Sequence, residues 1–158
     1  MKLYLVRHAK AGSRRNWHGD DLDRPLSKNG WRQAEAIADR LAKRSINALV
    51  SSPYVRCHET LVPLVERLDL PVAIDERLTE GSAFEGVLDL LAESGDGTVL
   101  CTHGDLVPET MMALERRGCR IHGDADWRKA TVWVLDRDAN GTITDAEVWP
   151  PPSWTEAS

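Results

Sequence analysis

Short apolar runs recur along this chain, and between them hydrophobic residues return at every third or fourth position. Leu3–Val6, Ala48–Ser51, Pro71–Ile74 and Thr98–Thr102 are apolar runs bounded by polar, Gly- or Pro-bearing segments, the pattern of buried strands. Ala130–Leu135 and Thr142–Val148 predict two more strands, with Asp138-Ala139-Asn140-Gly141 as the turn between them. Ala34, Ile37, Ala38 and Leu41 fall on one face of a helix predicted from Lys28 to Lys43, with Ser27 as its N-cap. Gly30 in its first turn is slightly unfavourable for a helix. Ser52-Pro53 reads as N-cap and first residue of a second helix reaching Leu68, with Val62, Val65 and Leu68 toward the core. Pro63 predicts a kink or a break there, since its ring removes a backbone donor. Phe84–Glu93 predicts a third helix, ended by Ser94-Gly95. Asp105 is placed to cap a fourth, continuing through Met111, Met112 and Leu114.

Strands alternating with helices predict an α/β fold: a three-layer α/β/α sandwich around a mostly parallel sheet. In such sheets functional sites form at the carboxyl ends of the strands. A chain of 158 residues suits one domain with a real core. That domain is expected over residues 1–150, followed by a loose Pro-rich tail, 151–158.

Composition narrows the function. A net charge of −5 argues against a general nucleic-acid binder. Cys57, Cys101 and Cys119 are odd in number and lack C-x-x-C spacing, as expected of free thiols in a reducing compartment. The apolar run before Arg7 is too short for a signal peptide, and no segment has the length of a membrane span, so the expected location is the cytoplasm, with no membrane partner. No His, Cys or Asp grouping has metal-ligand spacing, and no metal or cofactor is expected. Within this acidic chain, Arg7, Lys10, Arg14 and Arg15 make one basic loop. It is either a solvated surface or an anion-attracting rim.

Four segments carry residue types suited to phosphoryl transfer, which needs a nucleophile, positive charge around the equatorial oxygens and a proton for the leaving oxygen. Arg7-His8 follows the first strand: the cation can grip a phosphate and the imidazole can attack it, although a structural His is the commoner use of such a residue. Arg56, in the first turn of the second helix, can fork two phosphate oxygens, or pair on the surface with Glu59 or Glu66. Glu80, in Leu78-Thr79-Glu80-Gly81, is a candidate general acid with Glu76 and Glu85 as rivals. His103, in Thr102-His103-Gly104, is a second strand-end His, and Gly104 permits close backbone approach. Lys10, Trp17 and His18 are candidates for the substrate rim, and specificity residues are expected in Gly12–Asp23 and Arg116–Trp127.

These segments together resemble the histidine phosphatase superfamily, whose phosphoglycerate mutase-like members open with Arg-His-Gly; here Ala9 takes the third place. The likeness extends to Arg24-Pro25-Leu26-Ser27-Lys28-Asn29-Gly30 with Gln33-Ala34, to Ser52-Pro53 through Arg56 with Glu59-Thr60, to Leu78-x-Glu80 with Phe84-Glu85-Gly86, and to Thr102-His103-Gly104. It covers most of residues 1–115. The resemblance implies that His8 becomes a transient phosphohistidine, that Arg7, Arg56 and His103 form the phosphate pocket, and that Glu80 donates the proton. Between Arg56 and Glu80 there is room only for a helix and a strand, so the substrate-covering insertion of the glycolytic mutases is absent. The chain looks closest to the small phosphohistidine phosphatases, and is also similar to phosphatase-like domains fused to Nudix hydrolases. The expectation is a metal-independent phosphatase acting on a phosphate monoester or a protein phosphohistidine. Two alternatives stay open: a nucleotide or polyphosphate phosphohydrolase, and a non-catalytic phosphate-binding module. The expected partner is thus a phosphorylated small molecule, nucleotide or phosphoprotein.

Overall fold

Strand β1 (Lys2–Arg7) has apolar side chains on both faces because both faces are covered. Leu3 and Leu5 enter one core cluster, and Tyr4 and Val6 enter the other. This is the period-two consequence of a strand at the centre of a two-sided sheet. A computed structural model describes residues 1–154. Its remaining elements are α1 (Lys28–Leu41), β2 (Ala48–Ser51), α2 (Val55–Leu68), β3 (Val72–Ile74), α3 (Glu85–Glu93), β4 (Thr98–Thr102), α4 (Leu106–Arg116), β5 (Arg120–Ile121), β6 (Val132–Arg137) and β7 (Ile143–Trp149). The expected tail falls partly on residues 155–158, which lie outside the described residues.

The seven-stranded sheet has the order β3-β2-β4-β1-β6-β7-β5. Strands β3, β2, β4 and β1 run parallel, as does β5 beside β7, while β6 is antiparallel to both β1 and β7. The sheet is therefore mostly parallel, as expected, with β6 as an antiparallel strand inside it. Helices α1 and α2 bury Ile37, Leu41, Leu61 and Leu64 on one face, and α3 and α4 bury Leu88, Leu91, Val107 and Met111 on the other. The result is the three-layer sandwich.

Several local expectations change. Helix α2 runs unbroken through Pro63, which is buried. An interior proline costs about 3 kcal/mol, and Cys57, Leu61 and Leu64, buried on either side of it, hold the helix to the sheet. Its most buried face is Arg56, Cys57, Thr60, Leu61 and Leu64; Val65 and Leu68 are half-buried but pack against the core as expected, and Val62 is half-buried. Periodicity missed this because two of the inward residues are polar. Ser52 is not the N-cap of α2, a position held by Tyr54 with no side-chain bond, although Ser52 Oγ accepts from Tyr54 N–H at 3.2 Å. Asp105 does not cap α4 through its side chain either. Ser27 does cap α1, accepting from Gly30 N–H at 3.0 Å. Gly30 is required there, because a Cβ would run into the Lys10 carbonyl oxygen. Ala130, expected in a strand, has φ 64° and precedes β6.

Candidate active site

The β1–β4 register pairs Arg7 with Thr102, so the next residues, His8 and His103, leave adjacent parallel strands at the same end. His8 N–H donates to the Thr102 carbonyl at 3.1 Å, and the two imidazoles lie edge to face with centroids 5.5 Å apart. Crossovers place the first turn of α2 and the loop before α3 around the same point. A cavity of about 520 Å³ opens here, with Arg7, His8, Arg56, Glu80 and Gly104 in its wall.

His8 is 6% exposed. Its Nδ1 lies 2.8 Å from the Ala9 carbonyl oxygen. A carbonyl only accepts, so Nδ1 carries the proton and, in the neutral ring, Nε2 keeps its lone pair. Burial holds the ring neutral and pulls the His8 pKa down to about 3; the Ala9 hydrogen bond opposes this shift, and repulsion from His103, Arg56 and Arg7 adds to it. A neutral imidazole with one free nitrogen is a nucleophile toward phosphorus.

The cations are placed by backbone geometry. Arg7 donates through Nη1 to the Trp127 carbonyl, while its buried Nε has no partner among the described residues. Its guanidinium lies against Gly104, where a Cβ would approach within 2.5 Å. Arg56 is 1% exposed, so it is not a surface residue pairing with Glu59 or Glu66. It donates to the Asp21 carbonyl at 3.0 Å, to the Asp21 carboxylate at 3.2 Å and to Glu80 at 3.4 Å. The first turn of α2 is tied to the loop after β1 by Thr60, whose Oγ1 accepts from Ala9 N–H at 3.0 Å and donates to the Arg56 carbonyl at 2.7 Å.

The loop bearing Glu80 is held at two points. Thr102 Oγ1 donates to the Leu78 carbonyl at 2.7 Å, and the Asp105 carboxylate accepts from Gly81 N–H at 2.8 Å. Asp105 is thus a positioning residue for the acid loop, a role hidden in sequence behind its place at the start of a helix. Of the three glutamates expected as candidates for the acid, Glu80 lines the cavity and Glu76 and Glu85 do not.

His103 is fully buried and is not part of the cavity wall. Its Nε2 is 2.8 Å from Ser52 Oγ and 3.5 Å from Cys57 Sγ, and the Tyr54 ring meets it edge-on with centroids 4.8 Å apart. Of the rim candidates, Lys10 lines the cavity, whereas Trp17 and His18 do not. The exposed Trp17 turns its indole N–H to the Asp20 carbonyl at 2.8 Å. The cavity also holds Arg14, Arg24 and Lys129. Lys129 lies just past the segment where specificity residues were expected, and an isolated loop lysine carries no signal that would single it out.

A neutral strand-end His beside Arg7 and Arg56, on a mostly parallel three-layer sheet, has the chemistry to receive a phosphoryl group. Residues 3–87 match the family model of the histidine phosphatase superfamily, branch 1, and the chain belongs to that superfamily. An 8-oxo-(d)GTP phosphatase of Mycolicibacterium smegmatis is 33% identical over an alignment that covers 95% of this chain and 48% of that protein. The chain thus spans about half the length of this curated relative. In structure, it is similar to the protein histidine phosphatase SixA complexed with tungstate, at a TM-score of 0.75 and 23% identity, covering 91% of this chain and 93% of that one. A Nakamurella multipartitia chain described as a putative phosphohistidine phosphatase SixA is similar at a TM-score of 0.73 and 27% identity, covering 96% of each chain.

Proposed function

We propose that the protein is a metal-independent phosphatase that hydrolyses a phosphate monoester or a protein phosphohistidine through a covalent phosphohistidine on His8. The observation that carries this reading is the Nδ1–H bond from His8 to Ala9, which leaves a neutral ring with a free Nε2 at the arginine-lined cavity. The Nε2 lone pair attacks phosphorus as the bond to the leaving atom breaks, an oxygen in an ester and an imidazole nitrogen in a phosphohistidine. Arg7, Arg56 and the Gly104 N–H neutralise the equatorial oxygens. Glu80 protonates the leaving oxygen, then takes a proton from the water that cleaves the P–N bond. His103 joins the clamp by exchanging its Ser52 hydrogen bond for a phosphoryl oxygen. The three free cysteines support a cytoplasmic location.

A second reading, a nucleotide phosphohydrolase, is favoured by the 8-oxo-(d)GTP phosphatase that matches 95% of this chain. The test of the shared chemistry is turnover of p-nitrophenyl phosphate with and without chelator, followed by acid quenching to trap a labelled phospho-protein. Chelator-insensitive turnover and a label lost in His8→Ala are expected. Full activity in His8→Ala would remove His8 as nucleophile. Phosphate binding with no turnover from acid to neutral pH would leave a binding module.

A further inference from the structure

The cavity holds more positive charge than one phosphoryl group requires. Six basic side chains line it, against the carboxylates of Glu80 and Asp105. Three of the six already have carboxylate partners. Arg24 and Arg56 share Asp21, at 2.8 and 3.2 Å, and Arg14 reaches Asp21 and Glu80 at 3.7 and 3.8 Å. Arg7 belongs to the clamp on the transferred group. Lys10 and Lys129 remain, and among the described residues neither has a carboxylate within 4.0 Å. Neighbouring Arg128 is bound to Asp126 at 2.6 Å and leaves Lys129 as the uncompensated cation of that turn.

Both lysines are carried on fixed backbone. The Lys10 N–H donates to Gln33 Oε1 at 2.9 Å, and its carbonyl accepts from Ser27 N–H at 2.9 Å and Ser27 Oγ at 3.0 Å. Lys129 precedes Ala130, whose left-handed backbone is strained for a residue with a Cβ. The Ala130 N–H is shared between the carbonyls of Arg7 and His8, each at 3.1 Å, and Arg7 N–H donates to Thr131 at 3.1 Å. The turn bearing Lys129 is therefore bolted to the catalytic dipeptide. Desolvation lowers the Lys129 pKa, and repulsion from Arg7, Arg24, Lys10 and Arg14 adds to it, so the site gains by receiving an anion. A second cavity of about 490 Å³ adjoins the first, and Arg7, Lys10 and Lys129 line both.

We propose that Lys129 and Lys10 form a second anion subsite, for a phosphoryl group joined by one bridging oxygen to the group transferred to His8. The substrate class is then a terminal phosphoanhydride, such as a nucleoside diphosphate or triphosphate. This deepens the phosphatase reading and rests on it for turnover. The shared Arg7 wall favours two bonded anions over two distant ones. Attack by His8 Nε2 on the terminal phosphorus breaks its bond to the bridging oxygen. That oxygen departs with the electron pair on the remaining phosphate, whose charge the lysines neutralise. A phosphate leaving group needs no proton from Glu80.

Binding and turnover separate the subsite from the phosphatase reading. Calorimetry on His8→Ala protein should show pyrophosphate binding at least tenfold tighter than orthophosphate. Adding Lys129→Ala should remove most of that margin, and Lys129→Arg should restore it. Equal affinity for the two anions, or an equal loss for both on Lys129→Ala, overturns the subsite. In otherwise unaltered protein, Lys129→Ala should lower kcat/KM for ADP at least tenfold more than for p-nitrophenyl phosphate. If the binding margin holds while neither compound is turned over, the subsite stands and the phosphatase reading falls. If p-nitrophenyl phosphate is hydrolysed through His8 but the margin is absent, the reverse holds.

Discussion

A methyl group on Gly104 would lie 2.5 Å from the guanidinium carbon of Arg7, so the second-histidine segment sets where the first arginine can stand. The Arg7 side chain cannot simply step aside, because Nη1 is bound to the Trp127 carbonyl. Gly104→Ala should therefore displace the clamp and lower kcat/KM for a phosphate ester by about 10- to 100-fold, the scale for losing a charge-assisted contact. Gly95→Ala is the control, since a Cβ there meets nothing within 4 Å. An unchanged kcat/KM in Gly104→Ala would show that Arg7 tolerates displacement.

Depression of the His8 pKa to about 3 predicts a pH dependence of stability. The unfolded His takes up a proton below about 6.5, while the folded one stays neutral until about 3. Its contribution is therefore complete above 6.5 and is lost as pH falls from there toward 3. Denaturant melts from pH 7 to 4 should show His8→Asn losing less stability than the unaltered protein over this window. Parallel curves would mean that His8 titrates normally, as would an imidazole NMR shift with a midpoint near 6.5.

The proton transfer proposed for Glu80 predicts that its importance follows the leaving group. Glu80→Gln should slow p-nitrophenyl phosphate less than an alkyl phosphate, whose leaving oxygen is more basic. Asp105→Ala frees Gly81 N–H and should reproduce part of that pattern by letting the loop drift. Equal slowing of both esters by Glu80→Gln would assign the proton transfer elsewhere.

Gly30→Ala should destabilise the fold although alanine is the better helix former, because its Cβ would strike the Lys10 carbonyl. Overpacking of this kind costs about 1–3 kcal/mol. A urea midpoint unchanged or raised by the substitution would contradict the close approach.

Strand β4 was legible in sequence to the residue, and α1 to within two residues at its end, because apolar runs and a Ser cap are local signals. The histidine, arginine and acid motifs were legible as residue types at strand and helix ends. The face of α2 was not, since Arg56 and Thr60 are inward for reasons of the site and not of hydrophobicity. Nor was the work of Ser52 and Asp105, which resemble caps in sequence but bond His103 and Gly81 in space.

The sequence by itself determined the order of the helices and of every strand but the two-residue β5, the layered α/β class and the candidate nucleophile, because each is written in local periodicity or in a motif a few residues long. Only the tertiary structure decided which His8 nitrogen is free, that His103 turns to Ser52 behind the cavity wall, and that Lys129 joins Lys10 at its mouth. Those facts depend on strand register and on contacts between residues far apart in the chain. Ala130 reaches Arg7 and His8 across more than a hundred residues. No local pattern records such a contact, since it is made by the packing of the whole sheet.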